Sequence, residues 1–291
     1  MNRRQFVQSA SMAAAGVFAL SACGGGKSKE VAKEVLSSRA LGLQLYSLRD
    51  VMHTDPKGVL NKLAAFGYKE LEHYSYNDGQ IFGLPFAEFV QYAKSLGMNV
   101  VSGHYGLNQI KGDTWKRAID DANANAQPYM IVPYINEDQR QTIDDYKRII
   151  DDLNQAGEIA TNAGIRFGYH NHNFEFMSIE DQIPYHLMLE TLDPKYVCME
   201  LDLYWVVYAG LDPITYFQKY PKRFEAWHIK DMDKLDRARN ADVGTGVIDF
   251  KAILAQAELS GCKHFFVEQE TYPGASIDSI EASATYMKTI L

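Results

Sequence analysis

Short apolar runs recur from Leu41 to the end of the chain, and each is followed by a stretch whose apolar positions return with helical spacing. The runs predict strands at Leu41–Tyr46, Tyr68–His73, Met98–His104, Tyr129–Tyr134, Ile165–His170, Tyr196–Asp202, Phe224–Lys230 and Lys263–Glu268. Helices are predicted from Asp55-Pro56 to Gly67, over Pro85–Leu96, Asp113–Ala126, Gln139–Ala163 and Ile183–Leu192, from Asp212-Pro213, over Phe250–Leu259 and from Ile277.

Local chemistry marks the boundaries. Asp55-Pro56 and Asp212-Pro213 set a capping carboxylate before a proline, whose missing N–H is harmless in a first turn. Gly67, Gly97, Gly164 and Gly261 stand where a helix needs a left-handed cap. Strands that alternate with helices across about 250 residues predict a single-domain α/β fold, a (β/α)8 TIM barrel over residues 40–291. An open doubly wound sheet would put a glycine-rich phosphate loop after its first strand, and Leu45-Tyr46-Ser47-Leu48-Arg49 is not one.

The polar residues in these runs gather at their C-terminal ends. The segments are Gly168-Tyr169-His170-Asn171-His172, Glu200-Leu201-Asp202, Trp227-His228-Ile229-Lys230 and Val267-Glu268-Gln269-Glu270. A core gains nothing from buried imidazoles and carboxylates, which are costly when unpaired. Ligand-grade residues at the ends of several strands are how a barrel of this type builds an active site. Strand alternation lets His170 and His172 share a face, as it does Glu200 and Asp202, His228 and Lys230, and Glu268 and Glu270. Gly244-Thr245-Gly246 offers backbone donors of the kind a phosphate loop uses, although the same segment can simply lead into the next helix.

The N-terminus changes the picture of where the protein works. Arg3-Arg4 precede a short apolar region that ends Leu20-Ser21-Ala22-Cys23, the pattern of a twin-arginine export signal with a lipoprotein processing site. The expected organisation is a signal peptide at 1–22, lipidation at Cys23, a tether over 23–39, and then the barrel. The expected product is an exported, membrane-anchored lipoprotein of the periplasm, a location that rests on that signal alone. Removing Arg3 and Arg4 takes the net charge from −8 to −10, and an acidic body without a basic stripe argues against nucleic acid as a partner. Besides Cys23 the chain has Cys198 and Cys262, both in apolar runs and read as buried free thiols.

Several of these segments together resemble the xylose isomerase-like barrel superfamily of sugar phosphate isomerases and epimerases. They are Leu41-Gly42-Leu43-Gln44-Leu45-Tyr46, Ser102-Gly103-His104, Tyr169-His170-Asn171-His172-Asn173-Phe174-Glu175-Phe176, Leu201-Asp202-Leu203-Tyr204-Trp205, His228-Ile229-Lys230-Asp231, Val243–Asp249 and Val267-Glu268-Gln269. The resemblance spans nearly all of Leu41–Leu291. It implies one divalent metal, with Asp202, His228 and Glu268 matching ligands of epimerases such as D-tagatose 3-epimerase. Where those enzymes carry a ligating glutamate on strand five, this chain carries His170. Inosose dehydratase, a lyase of the superfamily, similarly has a histidine-rich segment there. The departure moves the expectation from epimerisation toward elimination or hydration.

The alternative for His170, Asp202, His228 and Glu268 is a hydrogen-bonded network without an ion. Mixed nitrogen and oxygen donors suit Mn, Co, Zn or Ni better than Ca. Glu268, or Glu175 if it reaches inward, is the expected base; Glu175 is otherwise a solvated loop carboxylate. Lys230 is expected at the carbonyl or enolate oxygen, or else in a salt bridge with Asp231 or Glu200. His104 is a further proton donor. Glu72, His172, Tyr46 and Trp205 are expected substrate contacts; the alternative for Glu72 is pairing with a barrel cation, for His172 a partner to the ligands or a core histidine, and for the aromatics packing. The expected substrate is a small keto-sugar, such as a 3-keto-glycoside made by an upstream sugar oxidoreductase. The expected chemistry is that of a lyase or hydratase, with an isomerase/epimerase or a non-catalytic carbohydrate-binding lipoprotein as alternatives.

Overall fold

The computed structural model describes residues 39–291. The signal peptide, Cys23 and the tether as far as residue 38 lie outside the described residues. Eight parallel strands form the barrel wall: β1 (Gly42–Gln44), β2 (Glu70–His73), β3 (Asn99–Gly103), β4 (Tyr129–Val132), β5 (Arg166–His170), β6 (Val197–Asp202), β7 (Phe224–Ile229) and β8 (His264–Val267). Ladders join β3–β2–β1–β8–β7–β6–β5–β4. The ring closes between β3 and β4 through a parallel bridge, His104 with Ile131, where the Tyr105 N–H donates to the Ile131 carbonyl at 2.8 Å. The predicted (β/α)8 barrel is the observed one.

The surrounding helices are α1 (Pro56–Phe66), α2 (Phe86–Ser95), α3 (Gly112–Ala124), α4 (Ile143–Asn162), α5 (Pro184–Thr191), α6 (Pro213–Lys219), α7 (Phe250–Leu254) and α8 (Ser276–Ile290). In α4 the residues Ile143, Tyr146, Ile150, Leu153, Gly157 and Ala160 make a buried stripe at helical spacing, which fixes the face that covers the sheet. Thr142 and Asp145 cap its start reciprocally, so α4 begins there and not at Gln139. Gly67 ends α1 at φ 92°, a conformation that costs a residue with a side chain.

Most strands are shorter than predicted. At β1 the Gln44 side chain accepts the Tyr46 N–H at 2.9 Å, turning the chain into a 3-10 turn over Leu45–Leu48. β4 stops at Val132 because Pro133 has no N–H to donate. The apolar run Leu203–Tyr208, unassigned from sequence, is a short helix capped by Asp202. Tight packing beneath the mouth includes Gly168, where a Cβ would sit 2.7 Å from Ile131 Cδ1 and 2.8 Å from Cys198 Sγ. Cys198 and Cys262 are buried free thiols, as expected. Among the described residues no helix is long and apolar enough to cross a membrane.

Candidate active site

The strand ends bring their polar side chains to one place, in two tiers that share His228. In the outer tier, Asp202, His228 and Glu268 each offer a ligand atom within 4.8 Å of the others. His228 Nδ1 lies 3.0 Å from Glu268 Oε2. Lys230 Nζ lies 3.2 Å from Glu268 Oε2 and 3.6 Å from Asp202 Oδ2, and it also contacts Glu270. The Trp205 and Tyr204 rings lie 5.1 and 5.5 Å from that ammonium.

The inner tier lies one strand repeat deeper, because Glu200 precedes Asp202 by two residues on β6. Glu200 Oε2 is 3.2 Å from His104 Nε2, 3.3 Å from His228 Nε2 and 3.5 Å from His170 Nδ1. Glu72 Oε2 accepts from Gln44 Nε2 at 2.7 Å and meets His228 Nε2 at 2.7 Å, while its Oε1 accepts from Ser102 Oγ at 2.6 Å. His170 straddles the tiers, with Nε2 3.9 Å from Asp202 Oδ2.

Burial and mutual charge set the protonation states. Burial would lower both His104 and His228, but Glu72 and Glu200 raise His104 to about 9, and Glu200 with Glu268 hold His228 well above its ordinary value. Burial together with His228 keeps His170 down at about 4, hence neutral. Burial raises the Asp202 carboxyl to about 7; Lys230 opposes this and Glu268 adds to it. Glu268 is penalised by burial, yet Lys230 and His228 hold it well below the usual carboxylate range.

Four buried carboxylate or imidazole atoms here have no hydrogen-bond partner: Asp202 Oδ2, Glu200 Oε1, His170 Nδ1 and His172 Nδ1. Unpaired lone pairs in a dry interior are costly unless something takes them. Carboxylate and imidazole donors of this kind fit a divalent transition-metal ion. Asp202, His228 and Glu268 would hold it, with His170 alongside.

The remaining predicted residues fall in three places. His172 lies at the mouth, stacked on Phe174 at 5.5 Å, edge-on to Tyr134 at 5.0 Å and 5.6 Å from Trp205. Tyr46 lies in the 3-10 turn that follows β1, edge-on to Tyr74 at 5.1 Å, with Arg49 against its ring. Glu72 and His104 belong to the inner tier. Glu175 does not reach inward, and the expectation of a solvated loop carboxylate is corrected as well. It is fully buried, accepts from the Tyr169 hydroxyl, and takes the His172 N–H at 2.9 Å. Tyr169 projects to the opposite face of β5 from His170, toward the helices, and Glu175 follows it.

Sequence reasoning did not single out Gln44, Ser102, Asn171 or Asp231. Asn171 Oδ1 accepts the Asp202 N–H at 3.1 Å, tying β5 to β6. Asp231 answers the question of the glycine-bearing loop. Its carboxylate accepts the N–H groups of Met232, Gly244, Gly246 and Ile248, so the loop's donors are spent on the protein's own anion. The Asp231 pairing considered for Lys230 is replaced by Glu268 and Glu270.

Known proteins share this architecture. The family model for the xylose isomerase-like TIM barrel matches residues 60–290. The inosose dehydratase of Geobacillus thermodenitrificans (strain NG80-2) is 28% identical over 165 residues, 51% of this chain and 55% of the relative. The chain spans about half the length of the curated relatives it matches. The solved sugar phosphate isomerase/epimerase from Parabacteroides distasonis ATCC 8503 is 30% identical, with 86% of this chain and 97% of that one covered and a TM-score of 0.74. The IOLI protein, solved with a zinc atom bound, covers 86% of this chain and 97% of its own at 14% identity and a TM-score of 0.68, a likeness of fold.

Proposed function

The chain belongs to the xylose isomerase-like TIM barrel family, and from that premise we propose a divalent-metal-dependent carbohydrate enzyme that acts on a keto-sugar. It removes the proton beside the carbonyl and expels the oxygen substituent one carbon further on. That makes it a lyase, or a hydratase when water adds in reverse. The observation that carries this reading is the buried, unpartnered Asp202 Oδ2, grouped with His228 and Glu268 and faced by Lys230.

A Mn, Co, Zn or Ni ion held by Asp202, His228 and Glu268, with His170 beside them, would supply Lewis-acid stabilisation of the negative charge that develops next to the carbonyl. The chain's own groups do the rest. Glu268 takes the proton from carbon. Lys230 is gripped by Glu268, Glu270 and Asp202, so it serves as a fixed cation toward the developing oxygen charge and not as a proton source. The proton on Glu268 then goes to the departing oxygen, the C–O bond breaks, and the site returns to its starting state. His172 Nδ1 and Trp205 Nε1, both buried without partners, meet substrate hydroxyls, and Tyr46 flanks the sugar from the other side. His104 supports the ligands from beneath in this reading.

The dehydratase names among the relatives agree with elimination. A single carboxylate base with a histidine where epimerases place a second glutamate supports it further. The near full-length likeness to a solved isomerase/epimerase favours the second reading, epimerisation. The test is incubation of a 3-keto-glycoside, and separately of a ketohexose, with Mn²⁺ or Co²⁺. Release of aglycone with formation of an enone supports the lyase; C3 epimerisation without elimination replaces it. Sugar binding with no turnover of either would leave the carbohydrate-binding lipoprotein.

Export completes the proposal. The signal at 1–22 and a lipid on Cys23 would anchor the enzyme to a membrane, in the periplasm, where an oxidoreductase supplies the keto group. Cys23→Ala should shift the protein from the membrane to the soluble fraction; retention on membranes would sink the anchor.

A further inference from the structure

The inner tier has a ligand geometry of its own. We propose that His104, His170 and Glu200, with the Nε2 edge of His228 as the fourth group, form a second divalent-cation site beneath Asp202 and Glu268.

Geometry supports it first. The four groups each offer a ligand atom within 4.8 Å of the others. Glu200 Oε2 stands 3.2, 3.3 and 3.5 Å from the ring nitrogens of His104, His228 and His170. A tetrahedral ion bound at about 2.0–2.1 Å needs donor atoms roughly 3.3 Å apart. Two of these side chains also carry buried atoms with no partner, His170 Nδ1 and Glu200 Oε1.

Charge supports it second. Asp202, Glu268 and Glu270 surround Lys230, while Glu72 and Glu200 lie deeper, against His104 and His228 with no lysine or arginine beside them among the described residues. One dication in the outer tier meets Asp202 and Glu268, with Glu72 and Glu200 beyond its ligands. A second dication offsets most of the negative charge that remains, with His104 and His170 neutral and the bridging His228 imidazolate carrying one negative charge, and a buried charge left unbalanced is expensive. Glu72 Oε2 lies 2.7 Å from His228 Nε2 in the metal-free site, and it keeps Gln44 and Ser102 as donors at 2.7 and 2.6 Å when that nitrogen turns to the ion. When both tiers are filled, His228 bridges them as an imidazolate, Nδ1 outward and Nε2 inward.

Three imidazoles and one carboxylate favour Zn, Co or Ni over Mg or Ca. Four protein donors leave no open position, so this ion touches no substrate. It holds His228 and His170 in place and neutralises the floor of the site.

The test counts ions on the chelator-stripped, reloaded protein by mass spectrometry after gel filtration in Zn²⁺. Two ions per chain are expected, falling to one in His104→Gln and to one in Glu268→Gln, with folding checked by circular dichroism. A single ion that Glu268→Gln removes and His104→Gln leaves overturns the inner site and spares the outer one. A single ion with the opposite behaviour supports the inner site and sinks the metal in the proposed reaction. If His104→Gln does not fold, Co²⁺ titration of the unaltered protein decides: two successive changes in visible absorption are expected, and one overturns the proposal.

Discussion

Asp202 Oδ1 accepts the Trp205 N–H at 3.1 Å, closing the first turn of the helix Leu203–Tyr208, while its other oxygen faces the site with no partner. One carboxylate therefore has a structural oxygen and a chemical one. Asp202→Asn can keep the cap and loses the anionic ligand. Metal-free Asp202→Asn should be at least as stable as the unaltered protein at pH 8, since a carboxyl that burial raises to about 7 is removed. Asp202→Ala should lose about 1 kcal/mol with its cap. Both should lose outer-tier metal. Denaturant midpoints and Zn²⁺ titration check this, and undiminished metal affinity in Asp202→Asn would remove Asp202 from the ligand set.

Glu175 gives the metal-free protein a pH dependence. Burial raises its carboxyl to about 7 against an ordinary 4.5, with the Tyr169 hydroxyl opposing. The folded state then keeps a proton that the unfolded chain has already released. Its contribution is fully present below about pH 4.5 and is lost as pH rises to about 7. The loss is on the order of 3 kcal/mol. Urea midpoints should fall over that window, and Glu175→Gln should flatten the fall. An unchanged slope in the variant would assign the effect to another group.

Asp231, buried in the short strand just past β7, is expected to be worth a good deal to the fold. It satisfies four backbone N–H groups, and an amide oxygen can take only part of that load. Asp231→Asn should cost about 2 kcal/mol, read as a lower denaturant midpoint. Inorganic phosphate should give no binding heat at Gly244–Gly246 in the unaltered protein. Phosphate binding there would mean that Asp231 does not fill the loop.

The barrel was legible because parallel strands, buried on both faces, read as unbroken apolar runs, and because capping prolines and glycines mark the helices between them. Asp202, His228 and Glu268 were legible because nothing in packing explains a carboxylate or imidazole at such a strand end. The short helix Leu203–Tyr208 was not, since Leu-Tyr-Trp-Val-Val-Tyr carries strand-like residues and becomes helical only through its Asp202 cap. Glu175 follows β5 closely enough to reach inward, and only the turn over Phe174–Phe176 carries it behind the strand. Gln44 is a neutral amide in an apolar run and gave no signal. The role of Asp231 depends on loop residues far along the chain that no local pattern pairs with it.

In the proposed reaction Glu268, grouped with Asp202 and His228, takes a proton from the carbon beside a sugar carbonyl. The most direct test is proton NMR of a 3-keto-glycoside in D₂O with Co²⁺-loaded protein. The account predicts loss of the resonance at that carbon, through elimination or exchange, at a rate that Glu268→Gln lowers by about 10²–10⁴-fold while Lys230 and His172 remain in place. An undiminished rate in Glu268→Gln would contradict it.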